Sequence, residues 1–323
     1  VIAEAALRAG CRHYCGYPIT PQTEIAHYMA KKMNELGGTF VQAESEVAAI
    51  NMVYGAASAG ARVLTSSSSP GISLKQEGLS YIAGAELPAV VVNIVRCGPG
   101  LGGILPAQCD YFQAVKGGGH GDYKMVVLAP SSVQELYELT VEAFNIADRY
   151  RIVSMIMGDG ILGQMMEAVE FKDKENIEKV EKNWATTGTQ MKREHNTITS
   201  IYIEPEILEK HNQKLQAKFA LIAEKETRVE SYNCEDADII VTAFGTVARI
   251  VKNVIKMAQK EGIKVGLIRP ITLWPFPVKE FEKYADVPKA FLSVELNAGQ
   301  MVEDVKLAVN GKRPVHFYGR MGG

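Results

Sequence analysis

TFVQAESEVAAINMVYGAASAG, from Thr39 to Gly60, decides how the rest of the chain is read. Thr39, Phe40 and Val41 favour an extended strand, and from Glu46 onward small residues favour a helix. Ala48, Ala49, Ala56, Ala57 and Ala59, with Gly55 and Gly60, let that helix pack very closely, and a helix so sparsely charged belongs in an interior. Glu46 stands at the junction and has two readings. It can satisfy free amide groups and the dipole at the start of the helix. Alternatively, it is a half-buried carboxyl held at a strand end for proton chemistry.

Working outward, the first half alternates helix and strand. A helix is expected over 1–10, a strand over 12–16, and a helix to Gly37 that Thr20 caps, with Pro21 at its first position. Beyond Glu46 a strand over 62–66 is broken by the run SSSSPG (Ser66 to Gly71), and a helix follows over 73–84. PAVVVNIV (Pro88 to Val95) is almost wholly apolar, as a strand buried on both faces should be. A strand over 125–129, a helix over 131–148 and a strand over 152–157 complete the unit. Six short strands separated by helices imply an α/β fold with a mostly parallel sheet. Charges dominate from Glu167 to Arg193, and Glu204 to Arg228 reads as a solvated helix. Buried-strand patterning resumes at ADIIVTAFG (Ala237 to Gly245), followed by strands over 264–268, 290–295 and 315–318 with helices between them. The expected organisation is a domain over 1–165, a charged linker with a docked helix over 166–234, and a smaller α/β domain over 235–323.

Composition bounds the function. With 323 residues, 47% hydrophobic and 22% charged, the chain reads as an ordinary globular protein of about two domains at roughly 100 to 200 residues each. A net charge of −2 gives no reason to expect nucleic acid or an anionic membrane as partner. No apolar run reaches the roughly 18 residues of a membrane span and no secretory signal opens the chain, so a cytoplasmic location is expected. Five scattered cysteines suggest neither a disulfide framework nor the spacing of an iron-sulfur cluster, and the six histidines form no ligand pattern.

In an open parallel sheet, ligands bind beyond the carboxyl ends of the strands. Thr20 follows the first strand, Glu46 the second, Ser66 to Gly71 the third and Arg96 the fourth. If those strands are neighbours, one rim carries a carboxyl, hydroxyls and a guanidinium suited to a carboxylate ligand. Other signals are weaker. CGPGLGG (Cys97 to Gly103) departs from the dinucleotide-loop spacing and reads as a loop near the substrate. His120, in KGGGHGD, reads as structural or exposed.

The segments GYPITP (Gly16 to Pro21), QAESEVAAINMVYGAASAG, TSSSSPGISLKQEGLSYIAGAELP (Thr65 to Pro88), NIVRCGPGLGG, KGGGHGDY, LIRPITLWPFP (Leu267 to Pro277) and VELNAGQM together resemble the alpha-type subunit of 2-oxoacid:ferredoxin oxidoreductases. Within that family the resemblance is greatest to the branched-chain 2-oxoisovalerate enzyme. It implies a thiamine diphosphate pyrimidine-binding domain followed by a transketolase C-terminal-like domain. It implies that Glu46 hydrogen-bonds the cofactor's pyrimidine, that Thr20, Pro18, Ile19 and Ser68 lie against cofactor, and that Thr20 and Arg96 bind the 2-oxoacid. Coenzyme A and ferredoxin would be the other reactants. A beta subunit would hold the diphosphate and Mg2+, and gamma and ferredoxin-like delta subunits would complete the assembly, with [4Fe-4S] clusters on partner subunits. Gly158-Asp159-Gly160 with Asn183 resembles the start of the diphosphate motif, but the stretch between is too charged for the packed elements that motif needs. No metal site is therefore expected in this chain. The pyruvate- or 2-oxoglutarate-specific enzymes, a self-sufficient transketolase-like or decarboxylase-like enzyme, and a non-catalytic nucleotide-binding or assembly module with Glu46 as a cap stand as alternatives.

Overall fold

A computed structural model describes residues 1–173 and 175–323. The first half runs α1 (Ile2–Arg8), β1 (His13–Gly16), α2 (Thr23–Glu35), β2 (Thr39–Gln42), α3 (Glu46–Ser58), β3 (Val63–Ser67), α4 (Ser69–Gly84), β4 (Ala89–Val95), α5 (Tyr111–Val115), β5 (Val126–Leu128), α6 (Val133–Tyr150), β6 (Val153–Asp159) and α7 (Gly160–Gln164). The second half runs α8 (Pro205–Lys225), β7 (Val229–Tyr232), β8 (Ile239–Thr242), α9 (Gly245–Lys260), β9 (Val265–Pro270), β10 (Thr272–Trp274), α10 (Val278–Tyr284), β11 (Ala290–Glu295), α11 (Met301–Val309) and β12 (Val315–Gly319). Both halves are α/β.

The larger sheet has the order β10-β5-β6-β4-β3-β1-β2. All its pairs are parallel except β10 with β5. Every residue of β4 and β6, at its centre, is buried, which is why those segments are apolar at consecutive positions instead of alternate ones. The edge strand β2 is partly exposed along its length. The second sheet has the order β12-β11-β8-β9-β7, parallel except for β7 on β9.

Three local readings of the sequence need correction. Thr20 does not cap α2: the helix starts at Thr23 behind Gln22, and Thr23 Oγ1 donates to Ile19 O at 3.2 Å, so the residues after Gly16 form a loop. The serine run does not break into a loop before Ser73. Helix α4 starts at Ser69, with Pro70 in its first turn where a missing N–H costs nothing. The second sheet has five strands, not four, because β7 pairs antiparallel with β9 at an edge.

Helix α8 turns Leu215, Phe219 and Ile222 inward, and Lys218 Nζ reaches Glu86 Oε2 at 3.0 Å, tying this otherwise solvated helix to the turn after α4. Several contacts tie the two sheets. β10 leaves the second half to pair with β5. Gln108 donates from Nε2 to Phe244 O at 2.9 Å and accepts from Leu296 N at 3.1 Å. Arg269 on β9, its side chain 2% exposed, lies 3.0 Å from Glu230 and donates to Glu135 of α6 at 2.9 Å.

Candidate functional site

Strands β4, β3, β1 and β2 are consecutive neighbours, so their carboxyl ends form one rim. The chain passes from β1 to β2 on one side and then places β3 on the other, which makes the gap between β1 and β3 a switch point where ligands bind in such sheets. The loop carrying Pro18, Ile19 and Thr20 leaves β1, Ser68 follows β3, Arg96 follows β4, and Glu46 opens α3 after β2. Pro18 and Thr20 are exposed and Ile19 half-buried.

Ser45 caps α3, its Oγ accepting from Ala48 N at 3.1 Å. Glu46 is therefore not needed as a cap, and its side chain turns into the fold. It is 5% exposed, and among the described residues no donor of the chain hydrogen-bonds its carboxyl. Opposite stands Gly71, in the first turn of α4. A Cβ there would lie 2.6 Å from Glu46 Oε1 and also collide with Ser67 Oγ, so only glycine leaves the carboxyl its place. The hydroxyls of Ser67 and Ser68 are fully buried and have no hydrogen-bond partner among the described residues. Beneath them Ser66 Oγ pairs with Tyr14 OH at 2.7 Å and with Gln22 Oε1 at 2.5 Å. Burial pushes the Tyr14 hydroxyl up to about 12.

Arg96 is 6% exposed without a carboxylate partner among the described residues. Its Nη1 donates to Thr20 O at 3.1 Å and its Nη2 to Leu101 O at 3.0 Å, while Nε has no acceptor. Thr20 and Arg96 are thus brought together, through the threonine's backbone. Residues 97–110 form a loop whose Leu101, Ile104 and Leu105 are exposed, and a cleft of about 420 Å³ lies between it, Ser69 and Ser73 of α4, and Asn297 and Gln300 of the second half. Glu46 does not line this cleft.

The donor set suits a nitrogen heterocycle. A buried carboxyl lacking donors, beside unpartnered hydroxyls, accepts a ring N–H. Among the described residues no group of three or more His, Cys, Asp or Glu could hold a metal. Asp159 of the Gly-Asp-Gly stretch caps α7, accepting from Ile161 N at 2.9 Å and Leu162 N at 3.0 Å, and burial raises its pKa. The five cysteines are free, and His120 is exposed with its ring edge-on to Tyr81.

Sequence reading passes over two residues here, Gly71 and the fully buried Lys75 one turn further along α4. The available signal is their spacing of four with Gly78 close by, which puts all three on or near one face of α4.

Comparison with known proteins bears on this geometry. Residues 4–232 match the family model described as pyruvate flavodoxin/ferredoxin oxidoreductase, thiamine diphosphate-binding, and residues 237–323 match pyruvate:ferredoxin oxidoreductase core domain II. The chain is 51% identical over 318 residues to the ketoisovalerate oxidoreductase subunit VorB of Methanothermobacter marburgensis, covering 98% of this chain and 90% of that protein. It is 38% identical over 305 residues to the 2-oxoglutarate synthase subunit KorA of Archaeoglobus fulgidus, covering 93% and 87%. Among solved structures, it resembles a 2-oxoglutarate:ferredoxin oxidoreductase from Magnetococcus marinus with 2-oxoglutarate, coenzyme A and succinyl-CoA bound. That match has a TM-score of 0.83 at 26% identity and covers 99% of this chain but 61% of the other. A split-gene transketolase shares the fold at a TM-score of 0.60 and 13% identity.

Proposed function

We propose, from the premise that this chain belongs to the pyruvate flavodoxin/ferredoxin oxidoreductase family, that it supplies the pyrimidine-activating half of a shared thiamine diphosphate site in a CoA-acylating 2-oxoisovalerate:ferredoxin oxidoreductase. The observation that carries this reading is the buried Glu46 carboxyl, free of donors and lodged against Gly71 at the switch point of the sheet. When bound, thiamine diphosphate supplies the nucleophilic carbon and the electron sink that let a 2-oxoacid lose carbon dioxide. Glu46 would hydrogen-bond the pyrimidine nitrogen N1′ and hold a proton between that atom and its own carboxyl. Its burial would exclude water from that hydrogen bond.

Pro18, Ile19 and Thr20 form the wall of the site from the β1 loop, and Ser68 offers a hydroxyl at the start of α4. Arg96 is already desolvated and lacks a counter-charge, so it accepts the substrate carboxylate. A beta subunit holds the diphosphate and Mg2+ in this reading. Gamma and ferredoxin-like delta subunits, with their [4Fe-4S] clusters, carry the electrons to ferredoxin. The assembly is cytoplasmic in this reading; among the described residues no helix is long and apolar enough to cross a membrane. The division into 1–165, 166–234 and 235–323 belongs to the same proposal. The 51% identity to a ketoisovalerate oxidoreductase subunit, against 38% to a 2-oxoglutarate synthase subunit, favours the branched-chain substrate.

The test is reconstitution with the partner subunits and assay of coenzyme A-dependent ferredoxin reduction with 2-oxoisovalerate, pyruvate and 2-oxoglutarate. Glu46→Gln should lower the rate by about 100-fold or more, the scale of a lost proton-transfer group. Undiminished turnover would remove Glu46 from the chemistry. A kcat/KM highest for another 2-oxoacid would correct the substrate alone.

A further inference from the structure

Lys75 is a buried cation for which the proposed reaction has so far no use. Its side chain is fully buried, and its Nζ donates to Thr65 Oγ1 at 2.6 Å and to Ser66 O at 3.3 Å. Among the described residues it has no ion-pair partner. An isolated ammonium in an apolar interior is costly unless an opposite charge stands nearby. Lys75 follows Gly71 by one helical turn, so it leaves α4 on the face that meets Glu46. Glu46 is a buried carboxyl of this region, and among the described residues no donor bonds it. Burial pulls the lysine down to about 7, while Glu46, and after it Cys15, act in the opposite direction.

The remaining surroundings carry no competing charge. On β1, Cys15 and Tyr14 are both raised by burial and stay neutral near pH 7. β3 offers hydroxyls and carbonyls, and β4 has no titratable residue. β6 has Asp159 at its far end, committed to capping α7. Tyr123, from the loop before β5, bonds Gln76 at 3.2 Å. On α4 itself Glu77 is exposed and paired with Tyr81.

We propose that Lys75 is a positioning residue for the proton at Glu46: its ammonium holds Glu46 as the carboxylate, so that a proton shared with the pyrimidine nitrogen rests on the ring. This inference rests on the reading of Glu46 given above. A nearby opposite charge favours the ionised form of a carboxyl. The ammonium exists below its folded pKa of about 7 and is lost as pH rises through it. Its influence on Glu46 therefore fades toward alkaline pH.

The experiment uses the complex reconstituted with its partner subunits and thiamine diphosphate, and reads the near-ultraviolet circular dichroism of the bound pyrimidine together with the cofactor dissociation constant across pH. In Lys75→Met, the ratio of N1′-protonated to neutral ring should fall about tenfold at about pH 6 and return to the wild-type value by about pH 8.5. Thr65→Val keeps the lysine but removes an acceptor from its ammonium. It should therefore move the pH at which the lysine's influence ends downward, and it serves if Lys75→Met fails to assemble. A ring signal in Lys75→Met that is unchanged, or diminished equally at all pH as a space-filling role predicts, overturns the proposal. So does a Thr65→Val profile that does not move. Glu46→Gln separates the two readings: loss of the protonated-ring signal at every pH upholds Glu46 as the ring's partner, whereas no change overturns both.

Discussion

Arg96 is a guanidinium held ready for an anion. It is 6% exposed and, among the described residues, its guanidinium bonds backbone oxygens of Thr20 and Leu101 and no carboxylate, so its charge is desolvated and uncompensated there. Arg96→Met should raise the apparent KM for 2-oxoacids by about 10- to 100-fold, the equivalent of a charged hydrogen bond worth about 1.5–3 kcal/mol. Steady-state kinetics of the complex over several 2-oxoacids reads this, and an unchanged KM would refute carboxylate binding. Arg96 and Glu46 are legible in the sequence because each is a charged residue at the end of an apolar strand or the start of an uncharged helix. Lys75 is not legible. A lysine followed by Gln and Glu in a helix reads as part of a solvated face, and only the three-dimensional neighbourhood of β3 shows it buried.

At the scale of elements, the contact between α3 and α4 governs how firmly Glu46 is held. Gly78 sits against Ile50, where an added Cβ would come within 2.5 Å of Ile50 Cγ2. Gly78→Ala should destabilise the protein by about 1–3 kcal/mol through overpacking, against a helix-propensity gain of about 1 kcal/mol at most. Thermal denaturation measures it, and a raised Tm would mean that Ile50 yields. The strands β4 and β6 are plain in the sequence because their burial on both faces demands continuous apolar runs. β7 and β10 are not, since four and three residues carry too little periodicity; β7 is fixed by pairing with β9 and β10 by where the second half docks on β5. The start of α4 is missed for another reason. A run of serines followed by Pro-Gly reads as a turn, whereas here Pro70 occupies the first turn of a helix.

Across the whole molecule, Arg269 joins the halves. Its buried guanidinium serves Glu135 of the first and Glu230 of the second. Arg269→Ala removes the partner the two carboxylates share, leaving Glu135 to Ser131 and Glu230 to Lys252, and should cost about 1.5–3 kcal/mol, seen as a lowered Tm near neutral pH. Burial alone would raise both carboxyls, yet Arg269, with Ser131 at Glu135 and Lys252 at Glu230, holds them below their ordinary values. Their stabilisation is therefore full above the unfolded carboxylate pKa and is lost as pH falls through the lower folded one. The Tm difference between wild type and Arg269→Ala should shrink on the acid side, and a constant difference across pH would count against this pairing.

The strand β10 also fixes an order of events during synthesis. Until the ribosome has delivered Thr272 to Trp274, residues Val126–Leu128 border the larger sheet with their backbone amides and carbonyls open on one side. An uncovered edge of that kind invites pairing with another nascent chain. The first half therefore stays vulnerable to misassembly until translation has passed well into the second, and subunit recruitment before that point would meet an unfinished surface.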